Sequence, residues 1–254
     1  MIPTRSSLST LTGVILIVVS ACSGGTNAGG NGLSLSFASM PKTAPTIGGA
    51  VSTGFITQTV GANTLVINKA QVVFSKIELA TVSTATCTTD SHNSECDELR
   101  ADPQVVDLPT SPTVTTALVS VVPPGTYSSF EARVKAVAST DQGGAAFLAA
   151  NPSFTGVSVH VEGTYNGTSF VYDGKARADL ELAFPTPIVV DSTGLNITVN
   201  VDLSTWFVDG SGALIDPATA GSGGANETLV ARNIHESFEA FEDDNKDGRP
   251  DTHH

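Results

Sequence analysis

The stretch Leu195-Asn196-Ile197-Thr198-Val199-Asn200-Val201-Asp202-Leu203 alternates apolar and polar side chains without a break. A repeat of two residues puts Leu195, Ile197, Val199, Val201 and Leu203 on one face of a strand and Asn196, Thr198, Asn200 and Asp202 on the other. The same alternation returns in Val157, Val159 and Val161 against Ser158, His160 and Glu162, and in Ala178, Leu180, Leu182 and Phe184 against Arg177, Asp179 and Glu181. Phe130, Ala132, Val134 and Ala136 alternate in the same way with Glu131, Arg133 and Lys135. One dry and one wet face per strand is the pattern of antiparallel sheets. The expected fold is therefore mainly β, an antiparallel β-sandwich of two stacked sheets.

Working outward, Leu33, Leu35 and Phe37 alternate with serines and begin the body. Leu65 and Ile67 lead into Val72, Phe74, Ile77 and Leu79, with a slip of phase between Phe74 and Ile77 that a β-bulge would absorb. Val105, Val106 and Leu108 make a short apolar run, and Pro123-Pro124-Gly125-Thr126-Tyr127 makes a turn. Asn166-Gly167 is a strong hairpin signal, and Asp173-Gly174 predicts a further turn. One helix breaks the pattern. Val230, Ile234, Phe238 and Phe241 recur at helical spacing over 227–242, with Asn226 placed to cap, so a single C-terminal α-helix should cover an end or edge of the sandwich.

The 254 residues carry 12 basic and 25 acidic side chains, a formal net charge of -13. Such acidity excludes a nucleic-acid binder, whose affinity rests on neutralising phosphates with Lys and Arg. Abundant Gly, Thr, Ser and Val with only 15% charged residues is a strand-rich, secreted type of composition.

Residues 1–21 hold Arg5 and the apolar run Leu11, Val14 to Val19, shorter than the ~20 residues a membrane span needs. This is a signal-peptide core. It ends in Val19-Ser20-Ala21-Cys22, which resembles the lipobox of bacterial lipoproteins. The resemblance implies that Cys22 becomes the first mature residue and carries the lipid. It also implies, from Ser23 rather than Asp at the next position, sorting to the outer membrane of a Gram-negative envelope. Residues 22–32 are Gly-, Ser- and Asn-rich and read as a flexible tether reaching roughly 17 Å. Removing residues 1–21 takes away Arg5 and no acid, so the mature chain is one charge more acidic than the whole. Attachment to the membrane then comes from acyl chains, at about 0.8 kcal/mol per buried methylene, and not from headgroup attraction. The body spans 33–241, with a possible sub-boundary at 140–152, followed by an acidic segment at 243–254.

Outside the cytosol, Cys87 and Cys96 are expected to pair as a disulfide closing a short polar loop, worth roughly 2–3 kcal/mol on the chain-entropy model. The alternative is a metal site of Cys87, Cys96 and His92, for which no second ligand pair is present.

The segment Ile67-Asn68-Lys69-Ala70-Gln71-Val72-Val73-Phe74-Ser75-Lys76-Ile77-Glu78-Leu79, the step Val106-Asp107-Leu108 and the turn Pro124 to Tyr127, together with the lipobox, resemble a family of uncharacterised bacterial lipoproteins with a β-sandwich domain of unknown function. The likeness covers about 33–137. The turn is also similar to those of transthyretin-like and carbohydrate-binding-like sandwiches. No catalytic residues come with it.

Asp243-Asp244-Asn245-Lys246-Asp247-Gly248-Arg249-Pro250-Asp251 resembles the calcium loops of EF-hands, dockerins and thrombospondin type 3 repeats. Asp243, Asn245 and Asp247 would supply side-chain oxygens, Gly248 the sharp turn, Arg249 its carbonyl, and Asp251 a direct or water-mediated contact. Position twelve, normally a bidentate Glu, is His254, whose terminal carboxylate would have to substitute. Calcium is the one cofactor expected, at about 10⁻⁴–10⁻³ M if that substitution fails.

Hydrolase motifs such as G-x-S-x-G, H-E-x-x-H and the P-loop are absent. His235-Glu236-Ser237-Phe238-Glu239 lacks the second histidine of a zinc helix. His160 falls on a wet strand face. Asp179 and Glu181 share a face and would serve a glycan-processing enzyme only if they lined a cleft. Trp206 and Phe207 near a strand end could stack on a sugar, although the single tryptophan belongs more naturally in the core. The expected function is a non-enzymatic, lipid-anchored envelope protein, a binding or structural module whose ligand would be a glycan or another envelope protein. The alternative is a hydrolytic envelope enzyme.

Overall fold

The computed structural model describes residues 32–41, 56–82, 99–111, 113–121, 125–190 and 195–251. Twelve strands and two helices occur among them, in the order β1 (Gly32–Ala38), β2 (Ile56–Val60), β3 (Asn63–Thr81), β4 (Leu99–Ala101), β5 (Gln104–Leu108), β6 (Val114–Val121), β7 (Gly125–Val134), α1 (Gly144–Ala150), β8 (Val159–Tyr165), β9 (Thr168–Gly174), β10 (Ala178–Val190), β11 (Leu195–Val201), α2 (Glu227–Ser237) and β12 (Phe238–Glu242). They form two sheets, consistent with the β-sandwich that the alternation predicts.

The larger sheet is organised by β3. Its 19 residues carry β2, β5 and β4 in succession along one side and β8 and β7 along the other. β9 then pairs with β8, and β10 with β7. So long a strand cannot keep one register, and the ladders shift between Ile67 and Lys69 and again between Phe74 and Lys76. The second shift is the bulge that the phase slip requires. An extra residue there returns Ile77 and Leu79 to the inner face. Asn166 (φ 51) and Gly167 (φ 79) make the expected tight hairpin between β8 and β9. Asp173 and Gly174, by contrast, stay in register with His160 and Val159, and the chain leaves the sheet only at Lys175.

The smaller sheet runs β12-β11-β1-β6. Between the sheets lie Phe37, Phe74, Phe130, Ile197, Leu203, Trp206 and Phe207, all essentially without solvent exposure, and the rings of Phe37 and Phe74 meet at 5.2 Å. A second, smaller apolar cluster (Val73, Val137, Phe147 and Phe154) covers the outer face of the larger sheet, where α1 packs within the stretch expected to hold a sub-boundary.

Three expectations need correction. First, β1 and β11 are parallel, from Leu33 opposite Leu195 to Ala38 opposite Asn200, so the smaller sheet is mixed. The opening strand of the body inserts between β11 and β6, parallel to the first and antiparallel to the second. Second, the polar face of β11 is not wet: Asn196, Thr198 and Asn200 are as buried as the apolar face. Third, α2 ends at Ser237 rather than 242. The hydroxyl of Ser237 donates to the Ile234 carbonyl at 2.7 Å, and Phe238 turns to extended geometry. Phe238 to Glu242 then form β12 against β11, because a strand edge offers their backbone groups a full ladder of partners. Asn226 stands at the helix start without a side-chain cap bond; its amide donates to Thr219 instead.

Candidate cation loop and the polar face beneath it

The C-terminal loop folds back over the smaller sheet, and this explains why the polar face of β11 is dry. Asn196 donates through Nδ2 to the Asp243 carbonyl at 2.6 Å, and its backbone N–H donates to the Asp244 carboxylate at 3.3 Å. Asn196 Oδ1 accepts from the Ser34 and Ser36 hydroxyls of β1, both at 2.9 Å. Asn200 holds the backbone of Met40 from both sides, donating to its carbonyl at 3.0 Å and accepting from its N–H at 2.9 Å. A row that reads as solvated in the sequence is therefore a fully bonded internal network. Buried polar groups persist only on that condition.

Asp243 is the centre of the loop. Its side chain is completely buried and accepts three hydrogen bonds, from Thr198 Oγ1 (2.7 Å) and the Gly248 N–H (3.0 Å) on Oδ2, and from the Asp247 N–H (2.9 Å) on Oδ1. Asn245 Oδ1 accepts from the same Asp247 N–H at 2.8 Å, so these two oxygens are near neighbours. Asp247 Oδ1 accepts from the Arg249 N–H at 2.9 Å. Asp251 closes the arc: Oδ2 accepts from the Asp244 N–H at 2.6 Å and Oδ1 from the Asn245 amide at 3.1 Å. Gly248 has φ 78, in the left-handed region that favours glycine.

The structure thus brings Asp243, Asn245, Asp247 and Asp251 into one loop with the carbonyl of Arg249. Asp243 Oδ1, Asn245 Oδ1 and Asp247 Oδ1 each keep a free lone pair beside the one bonded to backbone, which suits a hard cation seeking oxygens. Among the described residues, however, no three Asp, Glu, His or Cys side chains converge tightly enough to hold a metal by themselves. A cation here depends on the Asn245 amide oxygen and the Arg249 carbonyl as well as on carboxylates. The element before the loop is a strand, β12, and not the helix that an EF-hand places there. His254, Cys22, Cys87, Cys96 and His92 lie outside the described residues.

Other candidates resolve simply. Trp206 and Phe207 are both fully buried, so neither is a sugar platform; Trp206 Nε1 donates to Ser237 Oγ at 2.8 Å, and Phe207 packs edge-on against Tyr172. Asp179 on β10 pairs with Arg133 and, at 3.0 Å, with Arg177; the Arg133 hydrogen bond comes first among the causes that hold its carboxyl below the usual range. Glu181 is exposed and stands in register with Glu131 of β7. His160 is no free histidine: its two ring nitrogens lie 2.7 Å from Asp173 and 3.0 Å from Glu162. The clamp of Asn196 and Thr198 on Asp243 was not visible in sequence, because nothing in an alternating strand distinguishes a polar face under a loop from one under water. No helix of the described residues is long and apolar enough to cross a membrane. Compared with known protein families, with curated proteins and with solved structures, the chain matches none.

Proposed function

We propose that this chain is a lipid-anchored protein of the bacterial cell envelope, held at the outer membrane through Cys22, whose β-sandwich is a binding or structural module rather than an enzyme. Its C-terminal loop takes calcium through Asp243, Asn245, Asp247, the Arg249 carbonyl and Asp251. The observation that carries the calcium reading is the pair Asp243 Oδ1 and Asn245 Oδ1, drawn together by the single N–H of Asp247 over a fully buried carboxylate. The loop is bolted to β1 and β11, so a cation bound there would reinforce the body of the protein and not a loose tail. The reading as a non-enzyme draws support from Asp179, whose carboxylate is engaged by two guanidiniums and so is a poor general acid or nucleophile. The partner would be an envelope glycan or protein met by the exposed loops, with the Cys87–Cys96 disulfide shaping one of them.

Calorimetry on the tethered body tests the calcium reading: a Kd of about 10⁻⁴–10⁻³ M is expected, and at ten millimolar calcium a stabilisation of about 1.4–2.7 kcal/mol. No heat and no shift in unfolding at that concentration would remove it. A pull-down of the lipidated protein from its own envelope, with and without chelator, identifies the partner, and a turnover screen on model glycosides and esters should find no activity.

A further inference from the structure

His160 lies on β8, on the face of the larger sheet turned away from the interior, and is bracketed by carboxylates from two strands. Nδ1 is 2.7 Å from Asp173 Oδ1 on β9, and Nε2 is 3.0 Å from Glu162 Oε1 on β8. Lys69 of β3 binds the same Glu162 oxygen at 3.1 Å. Gln71, the register partner of His160 on β3, brings Asp107 of β5 into the group through a 2.7 Å hydrogen bond. The ring of Phe154, from the turn after α1, meets the imidazole edge-on at 6.3 Å and adds no charge. The charged groups facing His160 are therefore Lys69, Asp107, Glu162 and Asp173, a set with one more negative than positive charge when the ring is protonated.

We propose that His160 is a pH-operated clip on the β8–β9 hairpin, closed when both ring nitrogens carry protons and open when one does not. The chemistry is a matter of counting protons. An imidazolium donates to both carboxylates, whereas a neutral imidazole has one N–H and turns a lone pair toward the second carboxylate. β9 is an edge strand with β8 as its ladder partner, and the side-chain bridge from Asp173 to His160 adds to that ladder and to the packing of Phe170 and Tyr172 on Phe207. The same strand forms one wall of a small cleft of about 40 Å³, in which Tyr172, Gly174 and Lys175 face Glu227 and Ala231 of α2. Opening the clip removes one side-chain tie from that wall and leaves its backbone ladder to β8 in place.

Burial by itself lowers the affinity of His160 for its proton, but the hydrogen bonds and charges of Glu162 and Asp173 outweigh it and raise the pKa above the ordinary value. The contribution to stability is accordingly complete below about pH 6.5 and is lost as the pH rises through the raised value.

The test is imidazole NMR and amide hydrogen exchange on the full chain, from mildly acidic to mildly alkaline pH. His160 should titrate above about 6.5, and exchange across β9 should rise roughly tenfold beyond its intrinsic pH dependence through that titration. In His160→Gln the step should vanish, and in Asp173→Asn the His160 transition should fall. A His160 transition at or below its ordinary value in the unmodified protein, or the same β9 exchange profile in His160→Gln, would overturn the proposal. The wild-type titration stands without any variant.

Discussion

Asp243→Asn is the substitution that weighs the C-terminal loop most directly. The carboxylate is 0% exposed and takes three hydrogen bonds, two of them on Oδ2. An asparagine that keeps its oxygen in the place of Oδ1 still serves Asp247, and the Thr198 hydroxyl can rotate to accept rather than donate. The Gly248 N–H cannot, and it would face an amide N–H with no acceptor in a buried site. Such an orphan costs about 1–3 kcal/mol, and each bond to a charged acceptor is worth about 1.5–3 kcal/mol. Removing a buried charge returns part of this through relief of desolvation. The net expectation is a loss of about 2 kcal/mol, or roughly 4–8 °C in Tm for a chain of this size. Urea unfolding should be followed in the presence of chelator, so that the loop is measured without metal. Asp247→Asn is the matched control, since Asp247 is exposed and its Oδ1 accepts a single bond from Arg249 that an amide oxygen can accept equally. It should leave the midpoint unchanged. Equal midpoints for the two variants would refute the view that the loop is held by its first carboxylate.

Three further outcomes follow from particular contacts. Gly163→Ala should destabilise by more than about 3 kcal/mol in urea unfolding, because a Cβ at that point of β8 collides with the Val66 carbonyl oxygen of β3, which is backbone and cannot step aside. Trp206→Phe should cost about 2 kcal/mol through the lost bond to Ser237 and the unfilled volume; in the unmodified protein the tryptophan emission should be that of a buried indole, and emission typical of indole in water would contradict the packing. Cys22→Ser should abolish incorporation of labelled palmitate and move the protein from the membrane to the soluble fraction.

Much of the fold is legible in the sequence because strand alternation is a local consequence of burying one face. Val159, Val161, Leu180 and Phe184 point inward as their spacing requires, and the bulge after Phe74 shows as a slip of phase. The end of α2 is not legible. Phe238 and Phe241 sit at helical spacing after Ile234, whereas in β12 they fall on opposite faces, Phe241 buried and Phe238 half-buried; the free edge of β11 decides for the strand, and that edge is supplied by a distant part of the chain. His160 shows the same limit. Glu162 is visible two residues away on its own face, but Asp173 arrives only through the pairing of β8 with β9.

The order of residues by itself determined that the chain builds sheets, where the Asn166-Gly167 hairpin turns, and that an aspartate- and asparagine-rich loop with a glycine at its bend closes the C-terminus. Only the tertiary structure decided that β1 runs parallel to β11 and that the polar row Asn196, Thr198 and Asn200 is interior. It also decided that Asp243 is the buried pin between the loop and that row. The reason is that alternation reports which side chains share a face, while what lies on that face, water or a returning segment of the same chain, depends on contacts between residues far apart in sequence.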